Sequence, residues 1–288
     1  MTTQKLFSFG HGYSAQTLAH RLLPKGWQVI GTTRTPEKAR EFDRSGVVPV
    51  LLGQEPIPAQ LGGATHLLIS AGPDAEGDPF LRNYRQVLID AAPNLQWVGY
   101  LSTTGVYGDH GGDWVDEDTP LTPATKRGIA RVTAETEWQE IAQDLGLNLS
   151  IFRLAGIYGP GRGPFAKVRN GTARRIVKKD QIFSRIHVED IAQVLEASIN
   201  RPDSPGIYNV CDDLPVPPQE VIGYAAELLG LPLPPEEDFE TADMTPMARS
   251  FYAESKKVRN DRMKRELGVR LIYPDYKSGL QALLSEGQ

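Results

Sequence analysis

The chain has 288 residues, a mass of 31.7 kDa and a formal net charge of −5 at pH 7. This length fits one large α/β domain, or that domain plus a smaller lobe, and the acidic charge argues against general binding to nucleic acid or anionic membranes. Cys211 is the only cysteine in the sequence, which excludes an intrachain disulfide and a cysteine-rich metal site.

The first residues and the apolar segments bear on cellular location. The start, MTTQKLFSFG, lacks a charged region followed by a long apolar stretch, so we expect no secretory signal. No apolar run approaches the roughly 20 residues that a membrane-spanning helix needs. These features predict a reduced, cytoplasmic setting without a membrane partner.

Short apolar runs alternate with amphipathic segments over the first two-thirds of the chain, which predicts a parallel sheet covered by helices. The predicted strands are Lys5–Phe9, Trp27–Thr32, Val47–Leu51, His66–Ser70, Trp97–Ser102 and Leu149–Arg153. Thr35-Pro36 and Asp78-Pro79 each place a capping side chain before a proline, as expected at helix starts. A long helix is predicted over Thr125–Leu145, ending at Gly146. The right-handed crossover rule winds these units into one doubly wound, Rossmann-type α/β sheet.

Prolines accumulate after about Gly161, where the alternation weakens. We therefore predict a dinucleotide-binding domain over residues 1–161 and a smaller, mixed substrate lobe over residues 162–288, part of which returns to the sheet. The elements predicted here are a helix over Val188–Ile199, a strand near Ile207–Val210 and helices near Gln219–Leu229 and Tyr276–Ser285. The proline-punctuated Leu231–Glu237 and the acidic run Glu236–Asp238 are interpreted as a surface loop.

The first predicted strand runs into a glycine-rich turn and then a helix. Gly10, Gly12 and Ala15 have the G-x-G-x-x-A spacing. Gly10 permits the tight turn, Gly12 lets a pyrophosphate approach the backbone, and Ala15 lets helix and strand pack closely. The helix N-terminus offers N–H groups and a positive dipole end to the phosphates. In this strand–turn–helix context the motif predicts a dinucleotide site; a structural glycine turn without a ligand is the alternative.

The end of the second strand bears on the choice of cofactor. Thr33-Arg34 stands where an NAD enzyme usually carries Asp or Glu for the ribose hydroxyls, and no carboxylate follows until Glu37. An arginine here can pair with a 2′-phosphate, and Lys38, one turn into the next helix, would add positive charge. We therefore expect NADP rather than NAD; an arginine that is merely exposed to solvent is the alternative.

Four later segments carry recognisable motifs: STTGVYG at Ser102–Gly108, RLAGIYGPG at Arg153–Gly161, IHVEDIA at Ile186–Ala192 and IYNV at Ile207–Val210. Together they resemble the extended short-chain dehydrogenases/reductases and, more narrowly, the NAD-dependent epimerase/dehydratase family. The tail segment ELGVRLIYPDYKSGL is similar to the C-terminus of that family, so the resemblance covers nearly the whole chain. It implies a Rossmann-type fold, a small-molecule substrate and, by analogy only, a homodimer.

The catalytic residues of that family are only partly matched. The resemblance implies a Ser or Thr after the fifth strand, here Thr103, and a Tyr-x-x-x-Lys pair on the next helix. In the family the tyrosine exchanges a proton with the substrate and the lysine holds the nicotinamide ribose. Aligned on Gly128 and Glu135, this pair becomes Arg127 and Arg131. Because an arginine has a pKa above about 12, it cannot shuttle a proton at neutral pH, and the chain is interpreted as an atypical member.

The candidate site residues follow from these motifs and from the resemblance. Thr103 and Tyr107 are the catalytic candidates, with a structural role as the alternative for Tyr107; Tyr158 is a further tyrosine considered. The cofactor candidates are Gly10, Gly12, Tyr13, Ala15, Thr33, Arg34, Lys38, Ser70, Ala71, Thr103, Arg131, Ala155, Gly156 and Ile157. The substrate candidates are Arg127, Arg162 and His187. For His187 a structural role between the lobes is the alternative, and no metal site is predicted.

A group of basic residues after the nicotinamide loop would suit an anionic substrate, with a solvated basic face as the alternative. They are Arg162, Lys167, Arg169, Arg174, Arg175, Lys178 and Lys179. The leading hypothesis is an NADP-dependent oxidoreductase or sugar-modifying enzyme in which Thr103, water or another group moves the proton. The alternative, favoured by Arg127, is a redox-inactive NADP-binding sensor or partner-binding protein.

Overall fold

The computed structural model describes residues 4–54 and 56–287. Met1–Thr3 lie outside the described residues. They are the first residues of the segment in which no secretory signal was expected. The strands are β1 Lys5–Phe9, β2 Gln28–Thr33, β3 Val48–Leu51, β4 His66–Ile69, β5 Trp97–Thr103, β6 Trp114–Val115, β7 Leu149–Leu154, β8 Gly156–Tyr158, β9 Arg175–Val177, β10 Arg185–His187, β11 Ile207–Val210, β12 Glu236–Asp238 and β13 Lys257–Val258.

The helices alternate with these strands in the first two-thirds of the chain. They are α1 Tyr13–Leu22, α2 Pro36–Arg44, α3 Ile57–Leu61, α4 Pro79–Ala91, α5 Lys126–Leu145, α6 Phe165–Arg169, α7 Val188–Ile199, α8 Pro218–Leu228, α9 Pro246–Phe251, α10 Asp261–Leu267 and α11 Tyr276–Ser285. Across the described residues, none of the helices is long and apolar enough to cross a membrane.

One sheet organises the molecule. Within the described residues it has seven strands, all parallel, in the order β11-β7-β5-β4-β1-β2-β3. Its central strands are buried on both faces, since β4 and β7 are buried throughout and β1 is buried from Leu6 to Phe9. Strands of this kind read as continuous apolar runs. The predicted Rossmann-type α/β fold is confirmed, with strand ends displaced by one residue at most.

The helix termini largely follow the predicted signals. The Asp78 carboxylate accepts hydrogen bonds from the N–H groups of the first turn of α4, at 2.9 and 3.0 Å. Thr125 caps α5 in the same manner, and Gly146 ends α5 in the left-handed region at φ +66°. Thr35 differs, because α2 does begin at Pro36 but the Thr35 side chain makes no capping hydrogen bond.

After β8, β9 and β10, which lie outside the seven-stranded sheet, the chain returns to that sheet with β11. β11 pairs with β7 at the edge of the seven-stranded sheet, and α7 packs against α1. Residues of α6, α8 and α11 form a separate apolar cluster within residues 162–288, a part of the chain that is called the second lobe below. The core therefore lies around the sheet, with a smaller cluster facing the carboxyl ends of its strands.

The acidic run in the second lobe is not the surface loop that was predicted. Glu236–Asp238 forms β12, which pairs in parallel with β9. Two ion pairs join the strands, Arg174 to Glu237 at 2.9 Å and Arg175 to Glu236 at 3.1 Å. The carboxylates therefore neutralise part of the basic stretch that was considered for substrate binding.

Candidate functional site

A cleft of about 750 Å³ opens at the carboxyl ends of the parallel strands, where the second lobe faces the sheet. The order of the strands reverses between β1 and β4, which lie side by side at this edge. Open α/β sheets bind their ligands at such a switch point. The glycine loop after β1, Ser70 after β4 and Thr103 at the end of β5 all line this cleft.

The glycine loop leaves room for a ligand at one particular position. A Cβ built on Gly10, whose φ is +79°, would lie 2.6 Å from the backbone nitrogen of Ala71. A Cβ built on Gly12 would meet no described protein atom closer than the Gly10 carbonyl oxygen, at 3.6 Å. Gly10 is therefore required by the protein's own packing, whereas Gly12 keeps a space open on the cleft side.

Helix α1 presents its N-terminus at the same place. It begins at Tyr13 without a side-chain cap and with no acidic residue in its first turn. Its first N–H groups consequently remain available to an anion, which the helix dipole also favours. Ala15 is buried behind the loop, where helix and strand pack. These features fit the pyrophosphate of a dinucleotide.

His11 supports the glycine loop from the side of the sheet. The imidazole is 3% exposed, packs edge-on against the Phe42 ring at 4.8 Å, and occupies space that any side chain at Gly31 would fill. Burial lowers the pKa of His11 to about 4, so the ring is neutral at pH 7. The sequence analysis gave this residue no role.

The end of β2 lies beside the loop but outside the lining of the cleft. The Gly10 N–H donates to Thr32 Oγ1 at 2.7 Å, which joins the turn to this strand. Thr33 is buried, whereas Arg34 and Lys38 are exposed and make no hydrogen bond or ion pair within the described residues. Both cations are therefore available to a ligand that extends past the loop.

Thr103 and Arg131 line the cleft from β5 and α5. Thr103 Oγ1 accepts the Gly105 N–H at 3.2 Å, at the start of a short 3₁₀ helix over Thr104–Tyr107. The Arg131 guanidinium donates to the Leu101 carbonyl at 2.5 Å. Arg131 thus lines the cleft and is held by the end of β5, and its contact with a ribose stays a prediction.

Arg127 occupies the first turn of α5 and reaches across to the second lobe. Its guanidinium donates to Ser250 Oγ at 3.2 Å and lies over the Phe251 ring at 4.9 Å from the ring centre. All three residues line the cleft. The position predicted to correspond to the family's tyrosine therefore holds a fixed positive charge that bridges the two lobes.

Tyr107 does not reach the cleft. It is fully buried, and its hydroxyl donates to Asn209 Oδ1 at 2.7 Å and accepts from Arg153 at 3.0 Å. Burial is the main reason that the pKa of Tyr107 is raised to about 12. The catalytic role considered for Tyr107 is therefore corrected to a packing role.

The predicted nicotinamide loop is part of the cleft, but His187 is not. Residues 155–157 line the cleft together with Tyr158, which pairs with His187 between β8 and β10. His187 is 2% exposed, and its Nδ1 accepts the Glu189 N–H at 3.2 Å at the start of α7. Burial lowers its pKa to about 4. The substrate role considered for His187 is corrected to the structural alternative.

The four arginines of the cleft form no ion pair with a carboxylate among the described residues: Arg127, Arg131, Arg162 and Arg185. Sequence analysis missed Arg185, although it directly precedes the IHVEDIA motif. Arg185 donates to two backbone carbonyls and also lines a side pocket of about 180 Å³ with Arg162. Burial raises the pKa of the neighbouring Asp212 carboxyl to about 8, which weakens the attraction between that carboxyl group and Arg185. The arginines are therefore available to an anion.

The remaining basic residues that were considered for substrate binding do not line the cleft. Lys178, for example, donates to the Tyr252 carbonyl at 2.5 Å. The second lobe instead contributes Glu254 and Lys256, which lie just before β13. The sequence analysis missed both, because no motif marks them and only the fold brings them to this edge of the sheet.

Comparisons with known proteins agree with this architecture. The model of the NAD dependent epimerase/dehydratase family matches residues 83–211. Protein YeeZ of Escherichia coli (strain K12) is 30% identical over 286 residues, covering 94% of this chain and 97% of that protein. A solved structure of a functionally unknown conserved protein from Silicibacter pomeroyi DSS is 60% identical, with a TM-score of 0.94 and 99% of both chains covered.

A more distant structure shares the fold alone. It is the dTDP-glucose 4,6-dehydratase of Bacillus anthracis str. Ames, solved in complex with NAD. It is 17% identical, with a TM-score of 0.77, and the alignment covers 98% of this chain and 96% of that one.

Proposed function

Because the chain belongs to the NAD-dependent epimerase/dehydratase family, we propose that it is an NADP-dependent oxidoreductase or sugar-modifying enzyme that acts on a small anionic substrate. A bound nicotinamide dinucleotide would supply hydride transfer. Gly10, Gly12 and the first turn of α1 would hold its pyrophosphate, and Arg131 and residues 155–157 would lie near its ribose and nicotinamide.

The observation that carries this proposal is the charge of a single cleft. Its lining combines the glycine loop with five cationic side chains and one carboxylate, Glu254, in a chain whose net charge is −5. The cations are Arg127, Arg131, Arg162, Arg185 and Lys256. Unpaired guanidinium groups bind carboxylate or phosphate through paired hydrogen bonds. A small anionic substrate would therefore bind between the glycine loop and the second lobe.

The preference for NADP rests on Arg34, and replacing it tests that preference. We expect Arg34→Ala to weaken NADP(H) binding by roughly 1.5–3 kcal/mol, the usual contribution of a hydrogen bond to a charged group. NAD binding should change little, since NAD carries no 2′-phosphate. Isothermal titration calorimetry with both cofactors measures the difference.

A matched variant controls for general charge effects. Arg40 is exposed on α2, two residues beyond Lys38, so Arg40→Ala removes the same charge further along the helix from Arg34. It should leave both affinities nearly unchanged. Equal losses for NADP and NAD in Arg34→Ala would contradict the assignment of the 2′-phosphate to Arg34.

Replacing Arg127 tests whether the protein is an enzyme or a redox-inactive binding protein. In a working enzyme, Arg127→Ala should reduce kcat/KM for anionic carbonyl compounds roughly tenfold or more, since a hydrogen bond to a charged group is lost. NADP(H) affinity should persist. The measurement is NADPH oxidation with a panel of charged and neutral carbonyl compounds.

The redox-inactive alternative predicts a different outcome in the same assay. The wild type would show no hydride transfer with any compound of the panel, while the double variant Arg127→Tyr with Arg131→Lys would gain carbonyl reduction. General acid/base catalysis contributes roughly 10²–10⁴-fold, so such a gain is measurable. That pair of results would overturn the proposed enzymatic function.

A further inference from the structure

We propose that Glu254 and Lys256 together bind and deprotonate a substrate hydroxyl group, and so supply the proton exchange that Arg127 cannot. The inference rests on the proposed function, since it assigns chemistry to the same cleft. Both residues line that cleft, and among the described residues they are the source of its one carboxylate and its one ammonium group.

The two side chains form a buried ion pair with unused hydrogen-bonding capacity. Lys256 Nζ donates to Glu254 Oε2 at 2.7 Å and to the Gly108 carbonyl at 2.5 Å, and the side chains are 10% and 11% exposed. Glu254 Oε1 is buried without a hydrogen-bond donor among the described residues. An ammonium group has three N–H bonds, so the pair retains one acceptor and one donor.

That remaining capacity matches a hydroxyl group. A hydroxyl donates one hydrogen bond and accepts others, so it can donate to Glu254 Oε1 while its oxygen accepts from Lys256 Nζ. A buried acceptor without a partner costs about 1–3 kcal/mol. A substrate hydroxyl would therefore satisfy a group that the protein leaves unsatisfied.

The segment that carries the pair is fixed from two sides. The His110 and Gly112 N–H groups donate to the Ser255 carbonyl, each at 3.0 Å, and the Gln181 amide donates to the Glu254 carbonyl at 2.7 Å. Lys256 is also tied to Gly108, directly after the 3₁₀ helix that Thr103 caps. The pair is thus held beside the wall that carries Thr103, the matched catalytic position of the family.

The proton step balances within these groups. The substrate O–H bond breaks, its electron pair stays on the substrate oxygen, and an O–H bond forms at Glu254 Oε1. Lys256 remains protonated and stabilises the developing negative charge on the substrate oxygen. In the direction of carbonyl reduction, the same proton returns from Glu254 Oε1 to the substrate oxygen.

The test compares hydroxylated and non-hydroxylated acids as probes of the full-length chain saturated with NADP. Lactate and propionate share a carboxylate for the arginines and differ by one hydroxyl. By titration calorimetry we expect the wild type to bind lactate roughly tenfold or more tightly than propionate, because a hydrogen bond to a charged acceptor is gained. Glu254→Gln, which keeps the side-chain shape but removes the charge, should abolish that preference.

Further variants exclude a folding defect. Lys256→Met should reduce the preference as well, and Glu240→Gln, an exposed carboxylate of the same lobe, should leave it intact. Thermal unfolding of each variant verifies that it is folded. A wild type that does not distinguish the two acids, including one that binds neither, overturns the proposal, as does a preference that persists in Glu254→Gln.

The cofactor arm of the experiment is separate. NADP(H) titration of the same samples tests the dinucleotide site of the proposed function, and NADPH oxidation tests its hydride transfer. A hydroxyl preference that depends on Glu254 supports the pair even where oxidation is absent. Oxidation that is unaffected by Glu254→Gln overturns the proton role while leaving the proposed enzyme intact.

Discussion

Replacing Gly12 by valine is expected to abolish measurable NADP(H) binding while the protein still folds. The protein itself leaves the position open, because a Cβ on Gly12 meets only the Gly10 carbonyl oxygen, at 3.6 Å, and φ is −97°. The branched side chain would instead occupy the space beside the backbone where a pyrophosphate approaches. Steric overlap costs about 1–3 kcal/mol, and each lost charged hydrogen bond at α1 about 1.5–3 kcal/mol.

The measurement pairs a fluorescence titration of NADP(H) with circular dichroism. An affinity loss of roughly a hundredfold or more should accompany an unchanged spectrum, and Gly12→Ala should fall between the wild type and Gly12→Val. Gly10→Ala provides the contrast, because its Cβ would lie 2.6 Å from the Ala71 nitrogen in a left-handed conformation. That variant should lose stability first. Undiminished titration in Gly12→Val would mean that the dinucleotide binds elsewhere.

These glycines also illustrate which features a sequence reveals. The loop is local, since strand, turn and helix follow one another over eighteen residues (Lys5–Leu22), and its spacing has a direct geometric meaning. The buried parallel strands were predictable for a similar reason, because apolar runs between turns are typical of a strand covered on both faces. The end of helix α5 was predictable from Gly146, because a glycine readily adopts the left-handed backbone that follows the last turn of a helix.

The other wall of the cleft depends on contacts between distant parts of the chain. Lys256 meets the carbonyl of Gly108 across 148 residues, and Arg127 meets Ser250 across 123. No periodicity or spacing encodes such contacts. The acidic run 236–238 was mistaken for a loop for the same reason, because a three-residue strand owes its existence to its partner β9 rather than to its own pattern.

Breaking the ion pair beneath the cleft should cost more stability than any exposed substitution. Arg153 and Glu135 are 3% and 2% exposed, and join at 2.7 Å between β7 and α5. Ser102 also donates to Glu135, and Tyr107 accepts from Arg153. Removing one partner leaves an uncompensated buried charge, so Arg153→Met or Glu135→Leu alone should reduce the free energy of unfolding by about 3–5 kcal/mol.

The double variant shows whether the loss in the free energy of unfolding comes from the broken ion pair or from the changed packing of the two side chains. Because two apolar side chains of similar volume can replace a buried ion pair at little cost, Arg153→Met with Glu135→Leu should be destabilised by clearly less than the sum of the single variants. Urea unfolding measures the cycle. Glu237→Gln, which breaks the half-exposed pair with Arg174, should cost no more than about 1 kcal/mol. A comparably small loss in Arg153→Met would show that the charge of Glu135 is compensated without Arg153. Ser102 donates to Glu135, Leu154 follows Arg153 in the chain, and both line the cleft. Loss of the ion pair should therefore also loosen the floor of the cleft.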